Sequence, residues 1–133
     1  SGRLSTPTPY VGSALNTPDT EAFAGLMTPG TACADAPVVV DGRDGWFLPL
    51  LGTGFTVVTF GPAPAAQVHS GAIAADVIAI GAGVVDAKGR LAERYDGQPG
   101  TTYLIRPDQH VAARWRRFDA DMIAAAIRRA IAA

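Results

Sequence analysis

The hydrophobic pattern changes its period twice along the chain. Residues 55–61 (FTVVTFG) and 76–83 (DVIAIGAG) are unbroken β-branched and apolar runs, the mark of strands covered on both faces. Between them lie the 14 residues PAPAAQVHSGAIAA, long enough for a crossover helix. Two buried strands joined that way predict a right-handed βαβ unit with a parallel sheet. From residue 101 the character differs: TTYLI and HVAARWRRF flank RPDQ, which predicts an antiparallel hairpin. Alternation in its second arm puts Val111, Ala113 and Trp115 on one face and His110, Arg114 and Arg116 on the other, with the Trp115 face expected to be the core face.

After the hairpin, Ile123, Ile127, Ala130 and Ile131 recur at three- and four-residue spacing, the stripe of an amphipathic helix. Asp119 stands at its N-cap, Asp121 in its first turn, and Arg128 and Arg129 near its C-terminus, where the helix dipole favours cations. The predicted order is βαβ, hairpin, helix. That is the order of a thioredoxin-like core: an α/β fold with a mixed central sheet and helices on both faces.

Ahead of this core the periodicity fades. Residues 1–36 are rich in Pro, Thr, Gly and Ala and read as an extended N-terminal arm, with a turn of helix in EAFAGLM at 21–27. Residues 37–133 read as the thioredoxin-like domain. Within it, PVVVD at 37–41 is a short apolar run ending in a turn over Gly42–Gly45, and WFLPLLG is a short helix stopped by Gly52.

Composition restricts the partners. With 133 residues, 48% hydrophobic and 17% charged, the chain suffices for one domain with its own core. A formal charge of -1 gives no field that would draw a phosphate backbone, so nucleic acid is not an expected partner. Arg106, Arg114, Arg116 and Arg117 form a local basic cluster, read as a solvated strand end with helix-facing guanidinium groups in preference to an anion site. No apolar run reaches the ~18 residues a membrane helix needs, and SGRLSTPTPY lacks a signal-peptide core. A soluble, cytoplasmic chain with no membrane partner is expected, and the absent initiator Met fits a fragment or a processed product.

Candidate chemistry is sparse. Thioredoxin-like thiol enzymes need a cysteine just after the first buried strand, where a helix N-terminus lowers its pKa. That position reads GPAPAAQ, residues 61–67, with no sulfur. The single cysteine, Cys33, has no partner for a disulfide and reads as inert. His69 and His110 lie 41 residues apart without a zinc pattern. Ser70, His69 and Asp76 contain triad residue types without a nucleophile elbow. Gly81 and Gly83 form a lone G-x-G, with Asp86 where a third glycine would stand, and read as a strand-ending turn. Tyr10, Tyr95 and Tyr103 read as packing residues. Pro99 precedes TTYLI at the place where thioredoxin-like domains keep a cis proline, leaving cis and trans evenly weighed. No catalytic, cofactor-binding or metal-ligating residue is expected in this chain.

One long pattern goes further. Asp86-x-x-Gly89-x-Leu91-x-x-x-Tyr95, then Pro99-Gly100-Thr101-x-Tyr103-Leu104-Ile105-Arg106-Pro107-Asp108-x-His110-Val111-Ala112-x-Arg114-Trp115, resembles the C-terminal domain of FAD-dependent aromatic-ring monooxygenases, the phenol hydroxylase and polyketide hydroxylase group. Tyr10-x-Gly12-Ser13-x-Leu15, Thr28-Pro29-Gly30-x-x-x-x-Asp35-Ala36-Pro37 and Leu50-Leu51-Gly52-x-Gly54-Phe55-Thr56 are similar to that domain in the same order. The resemblance thus covers nearly the whole chain, departing at Gln109, where the family usually has Gly in the hairpin turn.

The resemblance implies a much longer parent whose N-terminal flavin-binding domain uses FAD and NAD(P)H to hydroxylate an aromatic substrate, with the glycine fingerprint upstream. This chain would then be a redox-inactive domain with a structural, docking or oligomerisation role. Its implied partners are the upstream flavin-binding domain of the same polypeptide and, alternatively, a second copy in a homodimer. Phe23 and Leu26 in the arm are the candidate interface residues, against the simpler expectation that the arm folds back over its own domain. The competing reading, a free-standing thiol or peroxide enzyme of the thioredoxin superfamily, is disfavoured by the missing cysteine at 62–66. A small-anion module at Arg106 and Arg114 is a third.

Overall fold

The computed structural model describes residues 14–132; Tyr10, Gly12 and Ser13 of the patterns above lie outside them. Eight strands form one mixed sheet: β1 (Pro37–Val40), β2 (Arg43–Trp46), β3 (Thr56–Phe60), β4 (Gln67–Ser70), β5 (Ile73–Ile80), β6 (Val84–Val85), β7 (Thr102–Ile105) and β8 (Val111–Trp115). Helix α1 (Arg90–Tyr95) precedes β7, and α2 (Ala120–Ala132) closes the described chain. The spatial order is β2-β1-β6-β5-β3-β7-β8, with β4 paired to β5. Strands β3 and β5 run parallel, while β7 runs antiparallel to both β3 and β8. This β5-β3-β7-β8 core, followed by α2, is consistent with a thioredoxin-like fold.

The predicted crossover helix between β3 and β5 is absent. Pro62 and Pro64 disfavour helical continuation there, and QVHS at 67–70 alternates exposed and buried positions, the period of a strand. Gly71, at φ 58°, turns this strand onto β5, pairing Ser70 with Ile73. The expected turn at Gly42–Gly45 also resolves differently. Asp41 (φ 50°) and Gly42 (φ 78°) both take left-handed conformations, making the two-residue turn that matches the twist of a hairpin. Residues 43–46 are therefore strand β2, paired with β1. EAFAGLM makes no helix and contains Gly25 at φ 84°, whereas WFLPLLG does turn, as a 3-10 helix over Leu48–Leu50.

Helix α1 explains the spacing of Asp86, Gly89, Leu91 and Tyr95. The Asp86 carboxylate accepts hydrogen bonds from the backbone N–H groups of Leu91 (3.0 Å) and Ala92 (2.8 Å), satisfying donors that the first helical turn leaves free. Gly89 supplies the left-handed residue before the helix. Leu91 and Tyr95, one turn apart, are buried.

Helices cover both faces of the sheet. On one side Val58, Phe60, Phe47, Leu91, Tyr95 and Tyr103 form a core under α1 and residues 23–50. On the other, Ile123 and Ile127 of α2 pack onto Val57, Leu104 and Trp115; full burial of each of these two isoleucines contributes roughly 1.5–3 kcal/mol, whereas Ile131, expected in the same stripe, is 56% exposed.

The simple alternation expected in the last strand breaks at Ala112. Ile105 pairs with Val111 but Leu104 pairs with Ala113, so Ala112 is the extra residue of a β-bulge. The bulge reverses the facing of what precedes it: Val111 joins the α1-side core, away from Ala113 and Trp115. At the turn, Gln109 adopts φ 61°, and its N–H reaches the Arg106 carbonyl at 2.9 Å. A left-handed residue is required here, which explains a usual glycine.

The described part of the arm lies along β8 of its own domain. Thr17 N–H donates to Ala112 O (2.9 Å), Gly30 N–H to Val111 O (2.7 Å), Val111 N–H to Thr31 O (2.9 Å) and Cys33 N–H to Gln109 O (2.9 Å). Residues 14–36 thereby cover an edge that would otherwise expose unpaired backbone groups. No helix among the described residues is long and apolar enough to cross a membrane.

Candidate functional site

The place where a thioredoxin-like enzyme carries its thiol is structurally plain. Strand β3 ends at Phe60, Gly61 turns at φ 119°, and the chain runs without a helix into β4. Neither a sulfur nor a helix N-terminus to activate one stands there. The peptide bond of Pro99 is trans, as are all those among the described residues. The neighbouring Gly100 N–H instead donates to Phe60 O at 2.7 Å, tying the start of β7 to the end of β3.

Cys33 is partly covered and has no disulfide partner. Burial pushes its thiol up to about 12, with a hydrogen bond to Tyr95 only partly offsetting that. A thiol held protonated near neutral pH is a poor nucleophile. Tyr95 donates to Ala34 O at 2.6 Å and Tyr103 donates to Tyr95 O at 2.5 Å; burial raises the pKa of both phenols. These tyrosines pin loops to the core.

Gly81 and Gly83 occupy the turn between β5 and β6, closed by Gly81 N–H to Val84 O at 2.7 Å. Two strands flank it, so no helix N-terminus is available to a pyrophosphate. His69 is exposed on β4, and His110 sits beside Asp108. Among the described residues no group of three or more His, Cys, Asp or Glu is placed to hold a metal ion.

The arginine cluster is where the polar interactions converge; Arg117 is exposed, as a solvated strand end would be, but Arg106, Arg114 and Arg116 are not. Because residues 14–36 lie over it, Arg114 is only 5% exposed. Its Nε and Nη2 grip the Asp19 carboxylate at 3.0 and 2.8 Å, a two-pronged charge-assisted pair. Burial pulls the Arg114 pKa down, and the bonds to Asp19 and Tyr103 more than offset this, leaving it raised. Arg116 bonds to Asp96 at 2.5 Å, to the Ala22 carbonyl at 3.0 Å and to Thr101 Oγ1 at 3.0 Å. Arg106 pairs with Asp108 and reaches Asn16 at 3.3 Å. The guanidinium groups of 106, 114 and 116 thus spend their donors on the chain's own oxygens, which opposes the anion-module reading.

The two candidate interface residues separate. The Phe23 ring lies under two guanidinium groups, 3.7 Å from Arg116 Cζ and 4.3 Å from Arg114 Cζ, and meets Tyr103 edge-on at 6.1 Å. It packs on its own domain. Leu26 is 80% exposed.

No protein-family model matches this chain, and no curated protein does. Solved structures share its fold. Aklavinone-11 hydroxylase, in a ternary complex with FAD and aklavinone, superposes with a TM-score of 0.68 at 21% identity, over 91% of this chain and 26% of that one. The flavin-dependent monooxygenase PieE, in complex with FAD and substrate, gives 0.65 at 22% identity, over 89% of this chain and 24% of that one. The chain therefore spans about a quarter of the length of either enzyme.

Proposed function

We propose that this chain is the C-terminal, thioredoxin-like domain of a cytoplasmic FAD-dependent aromatic monooxygenase, and that it acts by contact rather than by chemistry of its own. The observation that supports this most is the fold shared over nine-tenths of the chain with a quarter of two flavin hydroxylases. The local geometry agrees with a domain free of thiol catalysis: the position after β3 carries no cysteine, and Cys33 is held protonated by burial. Flavin and nicotinamide would be bound upstream in the same polypeptide, since Gly81 and Gly83 sit between two strands. This domain would dock on that flavin-binding domain, with exposed Leu26 of the arm available for contact.

The test is to read the coding sequence upstream of Ser1, express the full polypeptide and record its spectrum. An in-frame domain with the flavin-binding glycine fingerprint, yielding yellow protein that oxidises NAD(P)H with an aromatic substrate, is expected. A complete open reading frame with no such domain, or insulin reduction by the isolated chain that Cys33→Ser abolishes, would overturn the reading.

A further inference from the structure

The two edges of the sheet are treated differently. The β8 edge is covered by residues 17 and 30–33, as described above. Strand β2, at the opposite end of the sheet, has no such cover among the described residues. The register shows which of its groups are free. A two-residue turn closes on the hydrogen-bonded pair Val40–Arg43, and Phe47 N–H donates back to Ala36 O at 2.9 Å. Arg43, Gly45 and Phe47 therefore direct their backbone groups toward β1, and Asp44 and Trp46 direct theirs outward.

The sheet face at this end is open as well. Helix α2 lies over β4, β7 and β8, and no residue of β1, β2 or β6 joins the core beneath it. Trp46 there is 56% exposed and Val85 44%. Trp46, Pro37, Val39, Asp44 and Lys88 line a cleft of about 350 Å³ on that face. Among the described residues neither Asp44 nor Lys88 forms an ion pair.

We infer that this edge joins two copies of the chain, β2 to β2, antiparallel about a two-fold axis at Gly45. The outward groups are their own complement in this register: Asp44 of each copy stands opposite Trp46 of the other, and the two pairs exchange four backbone hydrogen bonds. Centring the axis on Asp44 would instead place two carboxylates face to face, a destabilising cross-strand pair. Each cleft contributes one carboxylate, one ammonium and one indole. In this register a second copy sets its Asp44 beside Trp46 and its Trp46 beside Asp44, on the same open face. A uniformly acidic or basic partner would answer only one of the two charges. This inference does not depend on a flavoenzyme parent.

The experiment is light scattering on residues 1–133 over a concentration series, with three variants. The wild type is expected to pass from monomer to twice the monomer mass. Trp46→Glu should weaken self-association at least tenfold. Asp44→Pro should do the same, with a melting temperature unchanged at concentrations where the wild type is monomeric, because within one copy it removes only an outward N–H and a carboxylate that forms no ion pair. Gly45→Cys in a Cys33→Ser background should cross-link on oxidation, since non-hydrogen-bonded partners across the axis lie within disulfide reach and nothing lies within 4 Å of a Cβ at that glycine. A wild type that stays monomeric throughout, a dimer that survives Trp46→Glu and Asp44→Pro, or a dimer that fails to cross-link through position 45, would each overturn the inference.

Discussion

Arg114 and Asp19, 95 residues apart in the chain, are joined by a two-pronged ion pair with Nη2 and Oδ2 at 2.8 Å. It ties the N-terminal segment to the sheet at a site where Arg114 is almost entirely withdrawn from water. A buried guanidinium left without its carboxylate is costly. Asp19→Ala is expected to destabilise the chain by about 3 kcal/mol, measured by urea unfolding, and the double variant Asp19→Ala/Arg114→Leu should recover part of that. If Asp19→Ala unfolds like the wild type, the segment is not held by this pair.

Phe23 and Leu26 should respond in opposite ways. Phe23→Asp removes a ring stacked between two cations and is expected to cost about 2 kcal/mol or more in the isolated chain. Leu26→Asp, at an exposed position, should change stability by less than about 0.5 kcal/mol. If the chain is part of a flavin monooxygenase as proposed, Leu26→Asp in that longer polypeptide should weaken domain docking, and an unchanged mass, melting temperature and turnover there would remove Leu26 from any interface.

The bond from Ala24 N–H (2.8 Å) and the contact with Arg116 hold the Asp96 carboxyl below the usual carboxylate range. The folded state thus favours the charged form. The resulting stabilisation is complete above the ordinary carboxylate pKa of about 4 and is lost as pH falls through the lower folded value. Asp96→Asn should melt earlier than wild type at pH 7, with the gap closing in acid. A gap independent of pH would refute the assignment.

Cys33 shifts in the other direction. With its thiol pushed up to about 12 in the fold against 9.0 ordinarily, the thiolate at pH 8 is far scarcer in the native than in the unfolded chain. Iodoacetamide should label native Cys33 correspondingly slowly. Because the folded state holds the proton more tightly, its contribution to stability is intact below about 9 and falls as pH rises toward about 12. Labelling at the unfolded rate under native conditions would contradict this.

Gly97 is required for space. A Cβ there would come within 2.6 Å of the Phe60 ring. Gly97→Ala should cost about 1–3 kcal/mol through overpacking, and adding Phe60→Leu should relieve it. A thermal melt unchanged by Gly97→Ala would show that the ring yields freely.

The sequence by itself determined that strands lie in 55–61 and 76–83, though the second begins earlier, at Ile73, and it determined the terminal hairpin and the last helix, because buried strands and amphipathic helices write their burial directly into residue order. It also settled that no cysteine follows the first core strand. The crossover was misread because fourteen residues suit either a helix or a hairpin, and the choice fell to Pro62, Pro64 and the strand alternation around Val68. Helix α1 was missed because six residues carry almost no periodicity; its signal was the carboxylate of Asp86 ahead of Leu91 and Tyr95. The arginines required the tertiary structure. Whether Arg114 meets water or Asp19 depends on where residues 14–36 lie, and contacts across 95 residues leave no mark in local spacing. The same holds for the bulge at Ala112, which turned Val111 away from Trp115, and for Trp46, whose exposure follows from α2 ending its cover at the other side of the sheet.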